Sequence, residues 1–181
     1  MYKRQDHGAL LDPPTADVSA RCLSFLKQLN NPRDKNCIER ATNYLLSEQE
    51  KDGSWFGRWG TNYIYGTWSV LSALNLVEFK NKKAVFDKAI NYLKSNQRND
   101  GGWGEDGKSY YKNFENFSKK STPSQTSWAI MGLLAAGQIN SPEVERGMKY
   151  LTKGTKFQED HYTAVGFPRV FYLKYHGYAE Y

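Results

Sequence analysis

Apolar positions recur every three to four residues through most of the chain, the spacing that lines one face of an α-helix. Ile38, Ala41, Leu45 and Glu48 share such a face, as do Phe86, Ile90, Leu93 and Gln97, and then Val144, Met148 and Leu151. Between these amphipathic stretches lie more apolar ones: Val18, Cys22, Phe25/Leu26 and Leu29; Trp68, Leu71, Leu74 and Val77; Trp128, Met131 and Leu134. Strand-like alternation is essentially absent. Several ends are marked. Thr122-Pro123-Ser124-Gln125 offers a capping Thr, a Pro at the first helical position and a Gln three residues after the cap. Ser141-Pro142 opens the following helix in the same way, and Gly137 is placed to end the one before. The spacing predicts helical hairpins pairing 17–29 with 35–50, 66–79 with 83–97 and 124–137 with 142–153, followed by an unpaired segment from Gly166. The more apolar member of each pair should lie inside and the amphipathic one outside. Stacked hairpins form either a solenoid or a closed α/α toroid, and strongly apolar inner helices favour closure.

The hairpins repeat. Tyr44-Leu45 followed by Asp52-Gly53-Ser54-Trp55 aligns with Tyr92-Leu93 followed by Asp100-Gly101-Gly102-Trp103 at a constant offset of 48, and Gln49 falls on Gln97. A third copy begins at Arg146-Gly147-Met148-Lys149-Tyr150-Leu151 without the Gly-x-Trp. Each Gln is placed to join its helix end to the Trp-bearing loop that follows, a structural role for Gln49, Gln97, Trp55 and Trp103. Trp68 and Trp128 read as helix-packing residues.

Length and composition fit one soluble domain of 181 residues with a sizeable core, but the aromatic share of 15% is high. The formal net charge of +6 comes from scattered lysines, a solvated basic surface rather than a nucleic-acid site, although it would permit attraction to anionic headgroups. Cys22 and Cys37 have no metal-like spacing and read as small buried residues in a reducing compartment. His7, His161 and His176 also lack metal spacing and receive no role. No run of 18 apolar residues and no signal peptide is visible.

Aromatic and glycine residues concentrate in Gly53–Trp68, GSWFGRWGTNYIYGTW, which holds three of the five tryptophans and four of the fifteen glycines. Glycine at this density cannot belong to a helix interior, where each costs roughly 1 kcal/mol against alanine. The stretch reads as a backbone that bends repeatedly while pressing ring faces against something. The segment 104–121 (GEDGKSYYKNFENFSKKS) breaks the period; polar, charged and aromatic, it reads as a surface insertion, by default a solvated loop, though function could sit there.

The repeat frame ending in Gln…Gly-x-Trp resembles the QW motif of class II triterpene cyclases, among them the bacterial squalene–hopene cyclases and relatives that cyclise related polyprenes. Three further blocks carry the resemblance: DGSWFGRWGTNYIYGTWSVLSAL (52–74), DGGWGED with STPSQTSWAIMGLLAAG (100–106 and 121–137), and TAVGFPRVFYLKYHGY (163–178). The similarity runs from about Asp6 to the end, so residues 1–5 are unmatched and 6–181 correspond to the C-terminal part of the catalytic barrel domain. The resemblance implies an all-α fold, half of an α6–α6 toroid. It implies a water-poor cavity in which an aspartic acid protonates a linear polyisoprenoid, squalene or similar, and rings close as the cation moves along it. Proton loss or water capture ends the reaction. It also implies no metal or organic cofactor, and a peripheral position on the cytoplasmic side of a bacterial membrane, from which the substrate is drawn. Carbocations in hydrocarbon are stabilised by ring quadrupoles, at roughly 2 kcal/mol or more when desolvated, rather than by lone pairs that would trap them. The aromatic excess suits that chemistry and equally suits core packing.

By resemblance, Trp59 and Tyr65 match cavity-lining positions, Tyr65 also belonging to the polar end near the acid. Phe167, Phe171, Tyr175 and Tyr178 match aromatics facing developing cations. Asp17, in Asp-Val-Ser-Ala-Arg, matches a carboxylate in the network around the acid, and Arg21 stands where some members carry His. An Arg there stays cationic and lowers a nearby carboxyl pKa, but it cannot shuttle a proton. Without the resemblance, Asp17 would read as the N-cap of its helix, and Tyr175 and Tyr178 as core or interface residues of one helix. The family's general acid lies in an Asp-x-Asp-Asp motif N-terminal to the matched part, and the nine aspartates here form no such cluster. The expectation is therefore part of a cyclase, inactive alone. Its open half-barrel would expose apolar surface and favour association, as in a homodimer. The competing reading is a non-catalytic toroid module that binds a lipid or a protein. A protein prenyltransferase subunit would need an Asp/Cys/His zinc site, for which neither cysteine has suitable neighbours.

Overall fold

The structure, a computed structural model, describes residues 13–111, 120–153, 163–167 and 171–173. It contains helices α1 (Ala16–Leu29), α2 (Lys35–Ser47), α3 (Tyr63–Leu74), α4 (Lys82–Ser95), α5 (Pro123–Ala135) and α6 (Pro142–Lys153). These fall where the periodicity places them, the largest shift being at α3, which stops at Leu74. The caps form as read. Thr122 accepts the amide of Gln125 at 3.3 Å, Ser141 accepts that of Val144 at 3.4 Å, and Gly137 takes φ +75° just past α5.

The layering also follows the pattern. Helices α1, α3 and α5 pack side by side, with α2 against α1, α4 against α3 and α5, and α6 against α5. The core between the layers holds Leu45, Leu71, Leu74, Leu93 and Leu133, all fully buried, each worth about 2 kcal/mol by transfer from water. The approach of α3 to α5 is close because Gly132 lies opposite the backbone of Trp68; a Cβ there would stand 3.3 Å from the Trp68 Cα.

The two complete repeats are built with the same bonds. The Trp55 indole donates to Leu45 O and the Trp103 indole to Leu93 O, both at 2.7 Å. The backbone amides of these tryptophans donate to Thr67 and Thr126 on the neighbouring inner helices α3 and α5. Gln49 donates to Gly53 O in its own loop and to Val85 O on α4; Gln97 donates to Gly101 O and to Glu143 O on α6. Each Gln thus ties its helix end to the Trp loop, as anticipated, and also to the start of the next outer helix.

Other expectations are corrected. On α1 the stripe Val18, Cys22, Phe25 and Leu29 is exposed, and Ala16, Ala20 and Leu23 are buried instead, because the small-residue face is the one that fits closely against neighbouring helices. Cys22 and Cys37 are both exposed rather than buried. On α6, Met148 is 47% exposed. The buried positions are Val144, as read, and Gly147, where a Cβ would meet the Trp103 ring and the Ile130 side chain at 2.8–3.0 Å. On α5, Met131 and Leu134 are likewise exposed while Ile130 and Leu133 are buried. The stretch read as strand-free holds a two-stranded antiparallel ribbon, β1 (Ala164–Phe167) and β2 (Phe171–Leu173), with a register shift between Val165 and Phe167. Among the described residues, no helix is long and apolar enough to cross a membrane.

Candidate functional site

The loop between α2 and α3 carries the aromatic stretch, and four separate parts of the chain hold its backbone. From α1, the buried Asp17 carboxylate accepts the amides of Arg58 at 2.8 Å and Trp59 at 2.9 Å on one oxygen, and the Thr15 hydroxyl at 2.5 Å on the other. Asp17 is therefore not the N-cap of its helix; Thr15 holds that position, and the carboxylate points across to the loop. The Asp17 carbonyl in turn accepts the Ser69 hydroxyl of α3 at 3.0 Å.

From the segment after Trp103, the Glu105 carboxylate accepts the amides of Asn62 at 2.9 Å and Ile64 at 2.6 Å at the start of α3. Burial raises its pKa from 4.5 to about 7, although these two amides oppose the shift. The Tyr110 hydroxyl is shared between Gly57 O at 2.8 Å and Gly60 O at 3.0 Å, and its ring stands edge-on to Phe56 at 5.5 Å. From α5, the buried Gln125 amide donates to Thr61 O and to Glu105 O, while its oxygen accepts Glu105 N. The Gln125 side chain is thus not the return arm of a capping box; Thr122 N bonds Trp103 O instead. From the C-terminal ribbon, Thr61 N donates to Thr163 O at 2.8 Å and Val165 N to Trp59 O at 3.0 Å.

Ring faces gather beneath this loop. Tyr65 meets Trp68 and Trp128 edge-on, with centroids 5.6 and 4.9 Å away, and the two indoles lie parallel at 6.1 Å. Gly60 is required by close approach, since a Cβ would stand 2.4 Å from the Tyr65 ring. Two cations already rest on indole faces: the Arg21 guanidinium lies 4.2 Å from the Trp68 centroid and that of Arg58 4.4 Å from Trp59. Trp59 keeps 43% of its surface exposed.

The comparisons give this arrangement a family. The family described as the squalene-hopene cyclase C-terminal domain matches residues 3–181. The chain belongs to the squalene–hopene cyclase family. It is 56% identical to the squalene-hopene cyclase of Schizosaccharomyces japonicus and 50% identical to that of Zymomonas mobilis, over 97% of this chain in each case. It is 42% identical to the sporulenol synthase of Bacillus subtilis over 94% of this chain. It spans only 27–28% of the length of these relatives. Its fold matches the ent-copalyl diphosphate synthase of Streptomyces platensis with a TM-score of 0.65 at 21% identity, covering 91% of this chain and 32% of that one.

Within that family frame, Asp17, Trp59 and Tyr65 meet around one loop, and Arg21 joins them through Trp68. Phe167 and Phe171 are placed by their backbone as paired residues of the ribbon that adjoins Trp59. Tyr175 and Tyr178 lie outside the described residues. Glu105, Tyr110 and Gln125 went unread as site residues. The segment 104–111 is no solvated insertion, because Glu105, Ser109 and Tyr110 are buried in it; residues 112–119 lie outside the described part. The signal for Tyr110 was weak, because it is one of four aromatics, at 110, 111, 114 and 117, in a segment otherwise polar and charged.

Proposed function

We propose that this chain supplies the C-terminal portion of the catalytic α/α barrel of a class II triterpene cyclase acting on squalene or a related linear polyprene. The observation that carries the reading is the set of rings gathered at one fixed loop: Trp59 on the loop itself, and Tyr65 edge-on to the parallel indoles of Trp68 and Trp128 on α3 and α5. Aromatic rings stabilise carbocations without offering a lone pair, and a site poor in water keeps those cations from being trapped. Arg21 and Arg58 already use these rings as cation-binding faces.

In this reading Trp59, Tyr65, Phe167, Phe171, Tyr175 and Tyr178 line the cavity. Asp17 holds Trp59 in register, and Arg21 is a fixed charge rather than a proton shuttle. The general acid comes from the preceding part of the enzyme, and the substrate from one membrane leaflet. The test joins the part of the Zymomonas mobilis cyclase that precedes the matched region to this whole chain and assays squalene conversion. The chain alone should form no product and the chimera should form a cyclic one. Product from the chain alone, or a folded chimera with none, would overturn the proposal.

A further inference from the structure

The hydrogen bonds around the aromatic loop contain more than the cyclase reading uses. Residues 57–64 contribute backbone groups to three side chains that all arise between positions 105 and 125. Glu105 takes the amides of Asn62 and Ile64, Tyr110 donates to the carbonyls of Gly57 and Gly60, and Gln125 donates to that of Thr61. All three side chains are buried, so water cannot readily replace the bonds they make. Gln125 also fixes Glu105 itself, bonding both its backbone amide and its carbonyl.

The loop's backbone is anchored from several sides. It holds Gly57 and Gly60, lies outside any helix, and carries Trp59 on its exposed side. Asp17 holds its amides at Arg58 and Trp59, the C-terminal ribbon its Thr61 amide and Trp59 carbonyl, and the Asn62 side chain its Gly57 amide; the carbonyls of 57, 60 and 61 and the first amides of α3 fall to the 105–125 segment. Tyr65 stands directly under this point, with its ring against Gly60. A movement of the Gly57–Gly60 turn therefore moves both rings assigned to the cavity.

We propose that Glu105 and Tyr110 are positioning residues that set the placement of Trp59 and Tyr65 by clamping the backbone of residues 57–64. The proposal rests on the cyclase reading for its consequence, though not for the clamp. Tyr110 touches no reacting group; its hydroxyl acts through two carbonyls. Glu105 acts as an acceptor, so an amide can stand in for its carboxylate whereas a methyl cannot.

The test has two arms. In the full chain, hydrogen exchange at the Asn62 and Ile64 amides should speed up at least about tenfold in Glu105→Ala and stay near wild type in Glu105→Gln. Unchanged exchange in Glu105→Ala would remove the clamp. In the cyclase assembled on this chain, Tyr110→Phe should lower kcat about tenfold to a hundredfold, the scale of an ångström-size misplacement, with KM within about twofold. Its products should shift toward partly cyclised ones, because a cation that misses its ring loses a proton early. Glu105→Ala should behave likewise and Glu105→Gln should be rescued. A folded Tyr110→Phe enzyme with wild-type kcat and product pattern would overturn the positioning role, even if its unfolding midpoint fell. A wild-type assembly without product would sink the cyclase reading and leave the exchange arm standing.

Discussion

Glu105 shows how one residue can couple pH to the integrity of a site. Its carboxyl is fully enclosed, and burial lifts its pKa from 4.5 to about 7. Below pH 4.5 the group is protonated folded or unfolded, and its contribution is intact. Between 4.5 and about 7 the unfolded chain gives up the proton while the folded one keeps it, so rising pH favours unfolding; above that range the loss is complete. The span corresponds to a loss on the order of 3 kcal/mol. Urea denaturation at pH 5 and pH 8 should give the chain a higher midpoint at pH 5. Glu105→Gln should remove most of that difference, and an undiminished slope in that variant would assign the effect to other groups. Glu105 lies in the DGGWGED block that carries the family resemblance, but Gly-Glu-Asp by itself reads as polar loop; only the fold brings the acid under the first turn of α3, 41 residues away from Ile64. Asp17 was recognisable only through family resemblance, because a carboxylate in the first turn of a helix ordinarily serves that helix.

The helices were legible because their determinants are local. A 3.6-residue period, a Thr or Ser before Pro, and a Gly at the end act within a few residues, and α1 to α6 form where those signals stand. The direction of each buried face was less legible. Val18, Phe25 and Leu29 outweigh Ala16 and Ala20 in hydrophobicity, yet the alanines are buried, because close packing rewards a smooth face and no pattern says where neighbours lie. The ribbon was illegible for a related reason: strands of four and three residues are too short to show alternation, and β1 is tied by backbone bonds to residues 59–61. The repeat elements make a sharper claim about stability. Trp103 is completely buried and its indole closes the end of α4 through Leu93 O. Trp103→Phe leaves that carbonyl unpaired and a gap beside Gly147 and Ile130, at a cost of about 2–4 kcal/mol. The urea midpoint should fall with an unchanged slope, and the equivalent Trp55→Phe should behave alike because its bonds are the same. A loss confined to one of the two would show that the repeats are not mechanically equivalent.

At the scale of the whole molecule, the two layers present exposed apolar surface among the described residues. Phe25 and Leu29 are 59% and 57% exposed along the same stripe of α1 as Val18 and Cys22, and α5 exposes Met131 and Leu134. By contrast several surface ion pairs do little for folding. Lys83–Asp87 and Lys149–Glu145 are one-turn helical pairs at the surface, and Lys82–Glu78 ties α4 to the loop before it; exposed pairs of this kind add little to stability. An apolar stripe along a whole helix is costly to leave in water and favours association. If the chain works as one part of a barrel, the stripe is where the preceding part would lie. Two results follow from that. The chain alone should bind a hydrophobic dye and sediment as more than a monomer as concentration rises, and Phe25→Ser with Leu29→Ser should reduce both. Joined to the N-terminal part of the Zymomonas mobilis cyclase, the same chain should bind less dye per mole, since the added segment covers the stripe. A clean monomer that binds no dye would mean that the layers close differently. Equal binding with and without the added segment would mean that α1 faces solvent in the complete enzyme as well.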